Sequence, residues 1–504
     1  MSDEQKKQGE YIYALKDIPG GLIEKEIETP SDYRSDIMRI LGYYKIYKEG
    51  AEFKPEGSNG DYIPSQTKYK KCARLINKEA RFLFSQMPDI IINPKGDVSM
   101  ATDETKDMIT TIQEYVKSVC DENNLGKQLL QSAKDCFIAG RIGAILNFNS
   151  DDGVKITFLK ATEFVYETKL SNPDELTKFV AFIVVKDVAR SKLKRIFKKK
   201  YYLQDKMVDG KKIQKCYVIE ELYDGLGNLI ETVTPETETE FNRIPAVVIT
   251  NDGLLGELKG ESEIEGLFAH ESDYSKLSNT DMDNERKNMN PVKYVVDMQS
   301  ESTKGLSTAP GSFWDLTSDQ NLENASPQVG NLESSMSYSA PLQTTLKRIE
   351  MEMHEQLDIP DVTLESMQGI ITSGKALKAI YWPLQVRCNE KLVTWIPKLK
   401  YLISLIIDGA VLYPNCITKY TEDSISPVNY EIFIDPNYPL PEDAEEEKQM
   451  DLSEISQQTM SRKYFLKKWR ELTDAEADEE IEQIAREKQM LEESAFSNPG
   501  SFEV

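Results

Sequence analysis

Apolar positions recur at threes and fours over most of the chain and alternate in one stretch of its first half. Tyr33, Ile37, Ile40, Leu41 and Tyr44 predict a first helix, with Thr29 as N-cap and Pro30 at the first helical position. Residues 43–68 are polar and turn-rich and read as a surface loop. Helices are predicted from about Tyr69 to Gln86, closed by Pro88, from Asp103 to Cys120, and from Leu125 to Ala139, where Gly140 ends the last. Asp89–Asn93 reads as a short strand.

The period then changes. Ile142–Phe148, Val154–Leu159, Phe179–Val185, Lys200–Leu203, Cys216–Tyr223 and Ala246–Ile249 read as strands. Asp152-Gly153, Asp209-Gly210 and Asp224-Gly225 are hairpin signals between them. An antiparallel region beside helices makes the fold class α+β.

From Gly260 to Met289 the pattern is helical again, with Ile264, Leu267, Phe268, Tyr274 and Leu277 in a narrow apolar stripe. Such a helix is ~45 Å long at 1.5 Å per residue. Asn290-Pro291 ends it. Residues 292–339 are rich in Ser, Thr, Asn, Gly and Pro, with strand-like pieces at Val292–Asp297 and Ser312–Leu316. Ser339–Leu357 is helical, with Leu342, Leu346, Ile349 and Met353 on one face. Ser373–Asp408 is the longest apolar helical pattern, and Pro383 and Pro397 should kink or break it. Tyr430–Ile434 is one more strand. Beyond Pro441 come short helical patterns at Leu452–Met460, Ser461–Leu472 and Asp474–Leu491, the last with Asp474 as N-cap. The narrow stripes on the long helices suggest that these helices bury surface against copies of themselves.

Composition narrows the function classes. At 504 residues, about two to four domains are expected. The net charge of −24 argues against tight, non-specific nucleic-acid binding. No apolar run reaches membrane-spanning length; Tyr401–Ile407 comes nearest and is stopped by Asp408. The opening MSDEQKKQGE has no signal-peptide core. Cys72, Cys120, Cys136, Cys216, Cys388 and Cys416 are far apart and form no C-x-x-C, so they read as buried reduced thiols.

The candidate chemistry is thin. Gly369 and Gly374-Lys375 spell G-x-x-x-x-G-K-A, one residue from a P-loop. Ala376 replaces the hydroxyl that would hold Mg²⁺, and no buried strand precedes the motif. A nucleotide hydrolase is therefore the alternative, and a glycine-hinged loop opening a helix the favoured reading. His270 and His354 are the only histidines and are too far apart in sequence to suggest a metal pair. Acid groups such as Glu261, Glu263 and Glu265 read as solvated helix faces. No catalytic, metal or cofactor set emerges. Lys186–Lys200 carries eight basic residues, Lys186, Arg190, Lys192, Lys194, Arg195, Lys198, Lys199 and Lys200. They read as a nucleic-acid patch or as a solvated sheet edge where lysines block pairing. The lack of interleaved aromatics favours the edge.

Four segments, in this order, resemble portal proteins of tailed double-stranded DNA bacteriophages, of the type found in long-tailed phages of Gram-positive hosts. They are KKCARLINKEARFLFSQMPDIIINP (70–94), FNRIPAVVITND with the GESEIEGLFAHESDYSKLSNTDMDNERKNMNP that follows it (241–291), TSGKALKAIYWPLQ (372–385) and FIDPNYPLPEDAEEEKQ (433–449). The resemblance implies a non-enzymatic ring, usually of twelve subunits, at one capsid vertex of the virion, assembled in the host cytoplasm. Double-stranded DNA would enter and leave through its channel. Terminase large subunit, head–tail adaptor, scaffold and major capsid proteins would be its partners, with no membrane and no cofactor. A non-channel virion scaffold protein is a further alternative.

On that resemblance, 1–28 would be an N-terminal arm, 29–259 a mixed α+β wing, and 260–290 and 339–357 stem helices. Residues 291–338 would be a clip, 358–374 a tunnel loop, 375–440 a long kinked helix with a return strand of the wing, and 441–504 an acidic helical crown. Ser366, Gln368, Thr372, Ser373, Lys375 and Lys378 would be the channel contacts, with Gly369 and Gly374 as hinges. The two lysines could equally pair with acidic neighbours. Phe313 and Trp314 would be partner contacts of the clip or its small core. An acidic wall would keep DNA mobile, because each neutralised phosphate adds to the affinity.

Overall fold

The computed structural model describes residues 18–28, 30–55, 63–96, 102–149, 153–186, 194–208, 211–251, 259–289, 292–299, 328–332, 336–362, 374–414, 429–440, 444–470 and 472–496, with isolated positions at 253 and between 301 and 326. The chain divides into two compact units, Met1–Asp361 with Pro383–Pro439, and Val362–Trp382 with Leu440–Val504.

The larger unit is mixed helix and sheet, as an α+β class requires. Its first helices are α1 (Gly20–Glu24), α2 (Pro30–Glu49), α3 (Lys71–Phe84), α4 (Asp103–Glu122) and α5 (Leu125–Ala139), with strand β1 (Asp89–Pro94) between α3 and α4. Helix α2 opens with Pro30 as expected, while Thr29 lies outside the described residues. Helix α4 is capped by Thr102, whose side chain accepts from the Thr105 N–H.

Strands β2 (Arg141–Asn149), β3 (Gly153–Lys160) and β9 (Ala246–Thr250) form a three-stranded sheet in the order β3-β2-β9. Strands β4 (Phe164–Lys169), β5 (Asn172–Lys186), β6 (Lys194–Val208), β7 (Lys211–Asp224) and β8 (Leu229–Glu238) form an antiparallel five-stranded sheet in sequence order. One face of the larger sheet, through Val180, Phe182 and Ile196, shares a core with Ile18, Leu22, Ile23, Ile37 and Ile40. On its other face Phe164 and Phe179 stack with ring centroids 5.3 Å apart. A Cβ on Gly143 would meet these rings at 3.0–3.1 Å, so the glycine lets the two sheets close.

The basic run of the sequence is not a sheet edge. Strand β6 is the central strand of five. Lys198 and Lys199 are buried on opposite faces of it. Lys198 Nζ lies 2.8 Å from Glu26 and 2.9 Å from Glu221, and Lys199 Nζ lies 2.8 Å from Glu220. Burial disfavours the Lys198 charge, but its bonds to Glu26 and Glu221 outweigh that and raise its pKa. These lysines are structural cations, and on them the nucleic-acid reading fails as well. Arg190 and Lys192 lie outside the described residues.

The second half of the larger unit holds α6 (Glu263–Met289), a two-stranded sheet of β10 (Val292–Val296) and β11 (Gln328–Leu332), and α7 (Ser339–Gln356). The helix α8 (Gly374–Leu412) runs through both Pro383 and Pro397 without breaking. Strand β12 (Tyr430–Asp435) pairs with β1. The expected strand at Ser312–Leu316 does not form at its described positions, Trp314 and Leu316; Phe313 lies outside the described residues.

The smaller unit contains α9 (Ala444–Ser456), α10 (Arg462–Arg470) and α11 (Asp474–Phe496). The cap of α11 is Thr473 rather than Asp474. Its hydroxyl accepts from the Glu476 N–H, and the Glu476 carboxylate accepts from the Thr473 N–H at 2.9 Å. That reciprocal pair satisfies two exposed donors, which Asp474 one residue later cannot do. Five cysteines are buried free thiols, and Cys416 lies outside the described residues. Among the described residues no helix is long and apolar enough to cross a membrane.

Candidate functional site

Helices α3, α6, α7 and α8 meet within the larger unit. The start of α6 is fixed by backbone contact. The Asn251 N–H donates to the Gly140 carbonyl at 2.8 Å, and the Glu261 N–H to the Asn251 carbonyl at 2.8 Å. Gly140 and Gly260 both have positive φ, and a Cβ on Gly140 would come within 2.9 Å of the Gly260 carbonyl oxygen. Ser262 then caps α6, accepting from the Ile264 N–H while donating to the Ile138 carbonyl at 2.6 Å.

At this junction Lys391, Glu79 and Glu263 are buried, and Arg387 is partly buried beside them. Arg387 and Lys391 lie one turn apart on α8. Arg387 Nε is 2.9 Å from Glu79 of α3, and its Nη2 is 2.6 Å from Glu263 of α6. Lys391 Nζ contacts Glu263, lies 3.5 Å from Glu79, and donates to the Asn251 side-chain oxygen at 2.8 Å. Lys391 is 1 % exposed and Glu79 0 %. Burial works against ionisation of Glu263, but Lys391 and Arg387 outweigh it and lower its pKa. For Glu79, burial and then the Glu263 charge prevail, and its pKa is pushed up to about 7. Glu79 Oε2 has no hydrogen-bond partner among the described residues. The cluster fixes the middle of α8 to α3 and to the first turn of α6.

Below the junction, α6 buries a polar stripe. Glu271, Ser275, Asn279 and Asp283 are all buried and four residues apart. They hold the extended segment 63–70, which belongs to no sheet. The N–H groups of Ser65, Thr67 and Tyr69 donate to Asp283 at 2.9 Å, to Asn279 at 2.8 Å and to Ser275 at 3.4 Å. Glu271 accepts from the Ala51 and Cys72 N–H groups at 2.8 and 2.6 Å. The match is geometric: four helical residues rise ~6.0 Å and two strand residues ~6.6 Å. Helix side chains thus take the place of a neighbouring strand.

This corrects two sequence expectations. Residues 50–55 and 63–68 are pinned to α6 rather than a free surface loop. The acids of α6 are not uniformly solvated, since Glu263, Glu271 and Asp283 are buried. The expected apolar stripe holds at Ile264 and Leu267, but Phe268 is 44 % exposed.

At the far side, α7 packs along α6, and His270 Nε2 lies 3.5 Å from Glu352. The chain leaves α7 by a fixed turn. His354 Nδ1 lies 3.0 Å from the Ile359 carbonyl oxygen, the Ile359 N–H donates to the His354 carbonyl at 3.0 Å, and Asp358 takes a left-handed φ of 51°. His354 is therefore a buried, partnered histidine. Ser366, Gln368, Gly369, Thr372 and Ser373 lie outside the described residues. Gly374 and Lys375 are the first residues of α8, and Lys378 is exposed on its second turn. Residues 357–362 form no strand, and the residues directly before Gly369 lie outside the described residues. Trp314 is half-buried, with Lys293 Nζ 4.6 Å from its ring centroid.

Sequence reading missed Glu79, Asn251, Arg387 and Lys391, whose partners lie up to 312 positions apart in the chain and leave no local pattern. The α6 stripe did leave one. Polar side chains at four consecutive i+4 positions continue the line begun by Leu267. Among the described residues no group of three or more His, Cys, Asp or Glu is placed to hold a metal ion.

A family model described as phage portal protein, SPP1 Gp6-like, matches residues 33–494. A search of curated proteins returned no match to the chain.

Proposed function

The chain belongs to the phage portal protein family of the SPP1 Gp6-like kind, and from that premise we propose that it forms the ring at a unique capsid vertex through which DNA is packaged and ejected. The observation that carries this is the extent of the family match, 33–494, which takes in both long helices, the polar insertion, the loop and the C-terminal helices. In this reading α6 and α7 are the stem, residues 291–338 the clip, 358–374 the tunnel loop, 29–259 with 375–440 the wing, and 441–504 the crown. Terminase and a head–tail adaptor dock at the clip end, and scaffold and major capsid proteins surround the wing. The buried ionic cluster fixes α8 around Arg387 and Lys391 to the wing. Ser366, Gln368, Thr372, Ser373, Lys375 and Lys378 then face the DNA path, Gly369 and Gly374 give the loop its freedom, and Trp314 belongs to the clip.

Electron microscopy of the purified protein tests the reading. Rings with a central hole are expected, and monomers under every condition would overturn it. Deleting 358–374 separates a channel from a mere capsid scaffold, because rings should still assemble while DNA packaging fails.

A further inference from the structure

The C-terminal unit holds a contradiction in charge. Residues 441–494 carry 17 acidic and 8 basic residues, yet five of the eight, Arg462, Lys463, Lys467, Lys468 and Arg470, fall within the nine residues of α10. The helix is not a core element, because only Leu466 on it is buried. Arg462, Tyr464, Lys467, Lys468 and Arg470 are all exposed. A wet, strongly cationic helix in an acidic chain needs a use that packing does not supply.

Its neighbours within the unit are carboxylates. Lys463 Nζ lies 2.8 Å from Asp478 of α11, Arg470 Nη1 2.7 Å from Glu480 of α11, and Lys468 Nζ 2.9 Å from Asp451 of α9. The Trp469 indole N–H donates to the same Asp451 carboxylate at 2.7 Å. In Lys463–Asp478 and Arg470–Glu480 every side chain keeps about a third or more of its surface in water, whereas Asp451 is buried beside Lys468 and Trp469. Solvated pairs of this kind are worth little, and salt screens them. A competing anion can therefore replace the carboxylates at low cost.

We propose that α10 is a binding strip for the phosphate backbone of double-stranded DNA, held at low affinity by the carboxylates of α9 and α11. DNA is the anion the observations favour. A phosphate row presents many charges at close spacing, which suits five cations on a nine-residue helix, and their neutralisation releases condensed counterions. The masking acids set the affinity. They compete for the same cations, so DNA touches α10 and leaves again, as a moving duplex requires. The proposal rests on the portal reading, in which 441–504 meets the packaged genome.

The test measures binding of the full-length protein to a fluorescein-labelled duplex by anisotropy, over a series of NaCl concentrations. Unmasking by Asp451→Asn, Asp478→Asn and Glu480→Gln together should tighten binding at least tenfold at 50 mM NaCl. The second variant, Arg462→Gln with Lys467→Gln, removes two exposed cations of α10 and keeps the Lys463, Lys468 and Arg470 side chains with their carboxylates. It should lower the slope of log affinity against log salt by about two, one for each lost phosphate contact. An unmasked variant that binds no more tightly, or a double variant with an unchanged slope, overturns the proposal. Micrographs of the same preparations keep the two readings apart. Rings with unresponsive binding sink the α10 strip alone, whereas absence of rings sinks the portal reading.

Discussion

The molecule uses the same pairing, carboxylate with lysine or arginine, in two regimes. At the junction of α3, α6 and α8, Glu79, Glu263 and Lys391 are removed from water, Arg387 is partly buried beside them, and Asn251 shares Lys391 with them. In the C-terminal unit, Lys463–Asp478 and Arg470–Glu480 sit in solvent at similar or shorter distances. Distance alone therefore says little about what a pair does. A buried ion left without its partner has nothing to replace it, whereas an exposed one is taken back by water. The first kind of pair makes a fixed joint and the second a contact that can be exchanged.

The largest expected effect breaks the buried side of this comparison. Lys391→Met leaves Glu79 and Glu263 sharing Arg387 alone. It should destabilise the protein by about 3–5 kcal/mol, the usual range for breaking one partner out of a buried pair. Urea unfolding of the purified variant measures it. A loss below about 1 kcal/mol would mean that water reaches the junction and that the two regimes are one.

Much of the scaffold around this junction is legible in the chain. Helix α5 and its Gly140 stop, the β2–β3 hairpin and the helices α6 and α7 follow from period, cap and turn residues. The failures have physical causes. Strand β8 was invisible because Leu229, Ile230 and Val233 are exposed on an edge strand, so no face of it is consistently apolar. Strand β6 was misplaced because three adjacent lysines look solvated until Glu26, Glu220 and Glu221 are brought to them. The cluster at Lys391 was unreadable for the same reason. A buried charge announces itself only through its partner, and here the partners come from separate helices.

The second effect concerns pH and sharpens the buried side. Burial and the Glu263 charge push the Glu79 carboxyl up to about 7, above the ordinary value of 4.5 that it regains on unfolding. Between those two values the folded state binds more proton than the unfolded one. The contribution is therefore full below about 4.5, falls as pH rises, and is gone above about 7. A shift of this size corresponds to about 3 kcal/mol. Glu79→Gln should flatten that part of the pH profile while costing little at pH 8. Denaturation at pH 5, 6, 7 and 8 reads the difference. A Glu79→Gln profile that keeps the slope of the unmodified protein would assign the titration to other groups.

The smallest effect lies on the exposed side, and it decides whether the comparison holds. Lys463→Gln removes one solvated pair and should cost less than about 1 kcal/mol. Global unfolding would hide so small a change, so amide hydrogen exchange over 462–470 is the better measurement. At 50 mM NaCl the variant should exchange a few-fold faster there than the unmodified protein. At 0.5 M NaCl, where the Debye length falls to roughly 4 Å, the two should converge, because screening already weakens the pair in both. Exchange over 387–391 should not respond to the same salt, since ions do not enter a junction in which Lys391 is 1 % exposed. If α10 is instead strongly protected and indifferent to salt, its carboxylate pairs are fixed joints like those at Glu79. The helix would then have no cations to lend to a phosphate backbone.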